Sequence, residues 1–409
     1  MSKSFSSQEL MALEDHHGAH NYHPVPVVLS RGEGVHLWSP EGEKYLDFLS
    51  AYSAVNQGHC HPKIVAALVE QASRLTLTSR AFYNDCLGPY EKFVTEFFGY
   101  QRVLPMNTGV EGGETAVKIC RKWGYQKKKI PTEKARVVFA KGNFWGRTIS
   151  AISTSTDPTS RDEFGPYTPG FDLIPYNDLG AAAAALKDPH VAGIMLEPIQ
   201  GEAGVVVPDD GYLRGIRELC TKHNVLMIAD EVQTGIGRTG RMLACDHEGV
   251  RPDIVILGKA LSGGVLPVSA VLADDDVMMC IKPGEHGSTF GGNPLACKVA
   301  MAALQVVRDE NLCDRAARAG ERFRGRLGES IGRYGWVQKI RGKGLLNAVV
   351  VDPGHKHSAW EICMRMMKAG LLAKPTHDHI IRFAPPLVIS DQELDRGIDI
   401  IEKVFASVN

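Results

Sequence analysis

Short, unalternating apolar runs punctuate the middle of the chain: Val103-Leu-Pro-Met106, residues 137–140 and 192–196, Val225-Leu-Met-Ile228, Ile254-Val-Ile-Leu257 and residues 268–273. Bounded by polar residues and glycines, such runs predict parallel strands covered on both faces. Between them lie stretches with apolar residues at helical spacing, including 109–122 and the alanine-rich 179–187. Strand and helix alternate from about residue 100 to residue 260. That is the pattern of an α/β fold, whose ligands sit at the carboxyl ends of the strands.

The flanks read differently. Residues 34–50 alternate around Pro40-Glu-Gly-Glu43 and predict a hairpin, and Pro62 followed by Ile64, Leu68 and Ala72 opens a helix. From Pro294 helical spacing runs through Leu304 and Val307, a second helical stretch follows, and residues 345–351 read as a strand. The expected division is an N-terminal arm, 1–45, joining the small domain; a large domain, 46–293; and a small α+β domain, 294–409. At 409 residues and 44% hydrophobic, the chain is too long for one ordinary domain.

Composition narrows the partners. A net charge of −1 with both signs interspersed excludes a polybasic surface for nucleic acid or an anionic membrane. The nine cysteines are scattered and never paired as C-x-x-C, which points to a reducing compartment rather than disulfides or a zinc ribbon. No apolar run reaches membrane-spanning length, and residues 1–10 lack a signal core or transit-peptide arginines. The expected location is cytoplasmic, or the mitochondrial matrix if a presequence was removed.

The candidate chemistry lies at two strand ends. Asp230 follows one apolar run and Lys259 another, so neighbouring strands would aim a carboxylate and an amine into one crevice. Alone, these are a helix-capping aspartate and a surface lysine. Set between an apolar strand and Ser262-Gly-Gly264, however, Lys259 can be desolvated, its pKa lowered and its amine made nucleophilic. A Schiff-base lysine facing a carboxylate is the pair that pyridoxal 5′-phosphate needs, the amine for its aldehyde and the carboxylate for its ring nitrogen.

Other segments supply the rest of such a site. Asn107-Thr108-Gly109-Val110 between a strand and a helix offers free N–H groups to a phosphate. Phe144 or Trp145 can stack on an aromatic cofactor, and Arg147 can hold a carboxylate. Arg382, between apolar neighbours on a strand, needs a carboxylate from protein or substrate. Two competing readings weaken. Gly235-Ile-Gly237-Arg-Thr-Gly240 matches a dinucleotide fingerprint, but a short polar run to Arg251-Pro252 follows it instead of a long helix. His16, His17, His20 and His23 tempt a metal assignment, yet no cysteine or acidic cluster with zinc spacing follows, so no metal is expected.

With these pieces together the chain resembles the class III pyridoxal-phosphate aminotransferases. The resemblance rests on Gly18-Ala-His-Asn-Tyr-His-Pro24, Ser53-Ala-Val-Asn-Gln-Gly-His-Cys-His-Pro62, Leu104-Pro-Met-Asn-Thr-Gly-Val-Glu111, Gly142-Asn-Phe-Trp-Gly-Arg-Thr148, Glu197-Pro-Ile-Gln-Gly-Glu-Ala-Gly-Val205 and Gly284-Glu-His-Gly-Ser-Thr289. It implies fold type I, similar to aspartate aminotransferase: a mainly parallel seven-stranded sheet in a large domain, a smaller α+β domain, and a homodimer with shared active sites. It implies that Lys259 carries the cofactor and shuttles a proton, and that Asp230 holds the pyridinium. Gln233 would bond the phenolic oxygen, Phe144 would stack on the ring, and Thr108, Gly109 and Val110 would hold the phosphate. Ser288 and Thr289 would reach the neighbouring subunit's cofactor.

The substrate motifs are most similar to those of members acting on L-ornithine and 2-oxoglutarate. In that reading Arg147 and Tyr22 fix the α-carboxylate and α-amine of ornithine, Tyr52 shapes the pocket, and Glu202 masks Arg382 until 2-oxoglutarate arrives. Gly112 and Phe290 depart from the family's common alanine and tyrosine. Relatives acting on acetylornithine or 4-aminobutyrate would differ at Tyr22 and at the Glu202–Arg382 pairing. A catalytically silent scaffold would require the apparatus to be vestigial, and the intact Lys259 argues otherwise.

Overall fold

The structure, a computed structural model, describes residues 5–409. The first residues of the expected N-terminal arm, and of the stretch read for targeting signals, lie outside the described residues. β1 (Arg31–Glu33), β2 (His36–Trp38) and β3 (Lys44–Asp47) form an antiparallel meander, the expected hairpin plus one strand. A helix over Ser7–His17, closed by a Ser6–Glu9 capping box, precedes it. That helix carries no buried residue, so no apolar stripe announced it.

The central sheet has seven strands: β4 (Arg102–Met106), β5 (Arg136–Ala140), β6 (Phe171–Ile174), β7 (Val191–Leu196), β8 (Leu226–Asp230), β9 (Ile254–Leu257) and β10 (Ser269–Ala273). Their order is β4-β10-β9-β8-β7-β5-β6. β10 runs antiparallel to both neighbours, while the pairs from β9 to β6 are parallel. The inner strands read as unbroken apolar runs because successive residues enter different cores. Ile228, Ile254 and Ile256 face the helix Gly109–Gln126, whereas Met227 and Ala229 face the helix Tyr212–His223. β6 had no such signature. It is an edge strand in which Asp172 pairs with Arg136 of β5 instead of entering a core.

The C-terminal third contributes β11 (Val337–Lys343), β12 (Leu346–Val351), β13 (Leu371–Leu372), β14 (Lys374–Thr376) and β15 (Ile380–Phe383). β11-β12-β15-β14 form an antiparallel sheet, and β13 adds in parallel to β3, tying the chain's two ends together. The adjoining segment 50–53 is unusual: Ser50, Ala51, Tyr52 and Ser53 all have φ between 45° and 75°. A left-handed turn of residues bearing a Cβ costs about 1–2 kcal/mol per residue. Asp47 holds its entrance, accepting from Leu49 N and Ser50 N at 2.8 and 2.9 Å. Strain of this kind collects where a side chain must be aimed, and here it aims Tyr52.

The glycine-rich run 235–240 is a clasp rather than a nucleotide loop. Gly237, at φ 86°, packs so tightly that an added Cβ would lie 3.0 Å from Leu387. Arg238 beside it is completely buried and donates to Asn56 Oδ1, Leu345 O and Pro385 O. Burial pushes its guanidinium down to about 9, against the pull of Asp47. Arg238→Met leaves those acceptors unpaired, and a loss of roughly 2–4 kcal/mol of stability is expected. Urea unfolding of the variant beside the parent protein measures it.

Candidate active site

β8 and β9 are adjacent and parallel, with Asp230 opposite Ile256 in register. Asp230 and, three residues beyond Ile256, Lys259 therefore emerge from the same carboxyl edge. Lys259 has a left-handed backbone (φ 42°) and lines three adjoining cavities of about 700, 380 and 230 Å³. The smallest is also lined by Asp230, Gln233, Val232, Phe144 and Glu197. The intermediate one is lined by Thr108, Gly109 and Ser262, and the largest by Tyr22, Tyr52, Arg147, Glu202 and Arg382. The residues expected to act together thus converge on one amine. Ser288 and Thr289 line none of these cavities: Ser288 Oγ accepts from Asn107 Nδ2 at 2.8 Å, and Thr289 is exposed.

Burial pushes the Lys259 ammonium below its ordinary value, with Glu202 and Asp230 pulling the other way. Asp230 is buried, and desolvation lifts it to about 6 against a bond from Val232 N and the charge of Lys259. At the N-terminus of Gly109–Gln126, Thr108 Oγ1 takes the Glu111 N–H, and the Glu111 carboxylate takes those of Asn107 and Thr108. The N–H groups of Gly109 and Val110 are left for an anion. Gly109 sits where a Cβ would come within 3.0 Å of Val232, so the floor of the cavity is backbone.

Glu197, at the end of β7, was not among the expected site residues. Its signal was the Glu-Pro step closing an apolar run, a strand-end carboxylate like Asp230. It is buried, and its two oxygens accept from Phe144 N at 2.9 Å and Gly201 N at 3.1 Å. One carboxyl group thereby fixes both the loop that carries Phe144 and the loop that carries Glu202. Burial, with Asp230 nearby, raises Glu197 from the ordinary 4.5 to about 8, despite those two bonds. Between these values the native protein keeps a proton that the unfolded chain has lost, so cofactor-free protein should lose stability as pH rises. Denaturation at about pH 5 and about pH 8 tests this, and Glu197→Gln should flatten the slope.

In the largest cavity Arg382 NH1 donates to Glu202 Oε1 at 2.7 Å. Its guanidinium lies 4.7 Å from the centre of the Tyr52 ring, and Arg382 is only 4% exposed. Burial alone would raise Glu202. The charge and hydrogen bond of Arg382, the charge of Lys259 and a bond from Gln233 Nε2 at 3.1 Å outweigh it and hold Glu202 at about 2. Gln233, expected at the cofactor, is thus also part of the Glu202 network. Arg147 is exposed at the rim, 5.7 Å from the Phe144 ring centre, and Tyr22 is 68% exposed.

Residues 17–405 match the family described as aminotransferase class-III. The chain belongs to the class III aminotransferases. It is 62% identical to the mitochondrial ornithine aminotransferase of Drosophila melanogaster over 98% of this chain and 92% of that one. It superposes on the ornithine aminotransferase of Toxoplasma gondii with a TM-score of 0.98 at 52% identity, covering 99% and 96% of the two chains. An acetylornithine aminotransferase from Elizabethkingia anophelis is also similar, at TM-score 0.91 and 55% identity over 99% and 100%. Class III aminotransferases work with pyridoxal 5′-phosphate. The residues present fit it: an amine whose pKa burial lowers, a buried carboxylate lifted by desolvation, an aromatic side chain and two helix-terminal N–H groups line adjoining cavities.

Proposed function

We propose that this class III aminotransferase moves the δ-amino group of L-ornithine to 2-oxoglutarate, giving L-glutamate 5-semialdehyde and L-glutamate. When bound, pyridoxal 5′-phosphate supplies an aldehyde for amine exchange and a ring that accepts electrons from the substrate carbon. Lys259 would be the anchoring amine, and its Nζ would also move the proton at the carbon bearing the transferred nitrogen. Its lowered pKa suits it to take that proton. Asp230 would meet the ring nitrogen, Phe144 would stack on the ring, Gln233 would reach the phenolic oxygen, and Gly109 and Val110 with Thr108 would hold the phosphate.

The observation that carries the substrate assignment is the Glu202–Arg382 pair. A diamine monoacid and a dicarboxylic oxo acid must use one cavity in turn. With Arg382 neutralised by Glu202, the carboxylate of ornithine goes to Arg147 and its α-amine to Tyr22, which aims the δ-amine at Lys259. With Glu202 displaced, Arg382 takes the α-carboxylate of 2-oxoglutarate and Arg147 keeps the other. Glu202→Ala should uncover Arg382 and raise reaction at α-amines relative to the δ-amine by roughly 10–100-fold. Product analysis with ornithine and with glutamate as donors measures the ratio, and an unchanged ratio would refute the masking role.

Supporting a homodimer with shared sites, Tyr83 is fully exposed, Phe82 and Phe290 are 74% and 57% exposed, and Ser288 and Thr289 stand outside the three cavities that Lys259 lines. In this reading Ser288 and Thr289 reach the partner subunit's cofactor. The division into large and small domains follows the central and C-terminal sheets. Among the described residues no helix is long and apolar enough to cross a membrane. The fly relative is named mitochondrial, and cell fractionation decides between matrix and cytosol.

A further inference from the structure

β14 and β15 are antiparallel, and their register places Lys374 directly opposite Arg382. Directly opposed residues share one face of a sheet, and like charges there repel. Both line the largest cavity, and Arg382 is almost wholly buried. Two cations facing each other at a desolvated site need an anion, and Glu202 supplies it, bonded to Arg382. Among the described residues, Lys374 Nζ has no ion-pair or hydrogen-bond partner. Burial and Arg382 press its charge down, and Glu202 sustains it.

The same face leaves two further polar atoms without partners. Thr376 Oγ1, two residues along β14 and also lining the cavity, and Arg382 Nε are buried with no hydrogen bond. Two cations, one carboxylate and two unused donors describe a site with capacity for a second carboxylate. A carboxylate that takes Arg382 from Glu202 leaves Glu202 with the Gln233 bond alone and no cationic partner.

We propose that Lys374 is that partner: it receives the Glu202 carboxylate when the α-carboxylate of the oxo acid occupies Arg382, with Thr376 Oγ1 donating to the incoming group. Lys374 is then a specificity-determining residue for the oxo-acid half of the reaction. The inference rests on the proposed two-substrate reading of the cavity.

The test uses holoenzyme, Lys374→Met and Lys374→Arg, and single-turnover kinetics of each half-reaction followed by cofactor absorbance. Lys374→Met should shift the ratio of oxo-acid to ornithine apparent dissociation constants about tenfold against 2-oxoglutarate, about 1.4 kcal/mol. The loss should persist with 2-oxobutyrate, which has an α-carboxylate and no second one. Lys374→Arg should restore most of the ratio. An unchanged ratio in Lys374→Met, or equal weakening of ornithine and oxo acid, overturns the proposal, since a general loss of positive field acts on both. Failure of the parent enzyme to react with ornithine would instead sink the reading beneath it. The two failures therefore separate.

Discussion

Lys259→Ala is expected to lower transamination by at least about 10⁴-fold. Among the residues lining the smallest cavity, Lys259 carries the only amine, and the two larger cavities adjoin it at the same residue. The substitution removes both the anchor for the cofactor's aldehyde and the group that moves the proton. Lys259→Arg should be nearly as inactive. A guanidinium keeps the charge but neither loses its proton near neutral pH nor acts as a nucleophile. Steady-state assay of both variants at saturating cofactor measures the loss, and residual activity above a few per cent would mean that another group does the proton transfer.

Asp230→Asn should cost about 10²–10³-fold in each half-reaction, because an amide of the same shape no longer stabilises positive charge on a ring nitrogen. Asp230 is desolvated to about 6 in the protein without cofactor. A cation brought against it restores full ionisation, so cofactor binding and the carboxylate's charge reinforce each other. The amide forfeits that coupling. Cofactor affinity should fall together with rate, which equilibrium dialysis and single-turnover absorbance measure separately. A variant with parental rates and weaker affinity alone would assign Asp230 to binding and not to the chemistry.

Much of this arrangement was legible in the sequence, for physical reasons that differ from element to element. The inner strands are buried on both faces, so each announced itself as an apolar run, and Asp230 and Lys259 stood out as charges where such runs end. β6 was invisible because an edge strand tolerates Asp172. The Ser7–His17 helix was invisible because it has no buried face. The left-handed turn at Tyr52 has no local signal, since its residues are ordinary and Asp47 and its neighbours hold the conformation. The glycine run 235–240 lacks the long helix that a nucleotide loop would open, but its work as a clasp depends on Asn56, Leu345 and Pro385, far away in sequence. Glu197 and Lys374 escaped for a similar reason. A carboxylate bridging two loops and a lysine opposite an arginine become functional only once register and packing are known.

The measurement that tests the account most directly is the visible spectrum of the purified protein before and after L-ornithine, with no oxo acid present. N-acetylornithine and 4-aminobutyrate serve as parallel donors. The protein should be yellow, bleached rapidly by ornithine and far more slowly by the other two amines. A yellow protein bleached preferentially by another amine would keep Lys259 and the cofactor but contradict the assignment of Tyr22, Arg147 and the Glu202–Arg382 pair. A colourless protein that added pyridoxal 5′-phosphate does not turn yellow would contradict the central claim, that Lys259 is its carrier.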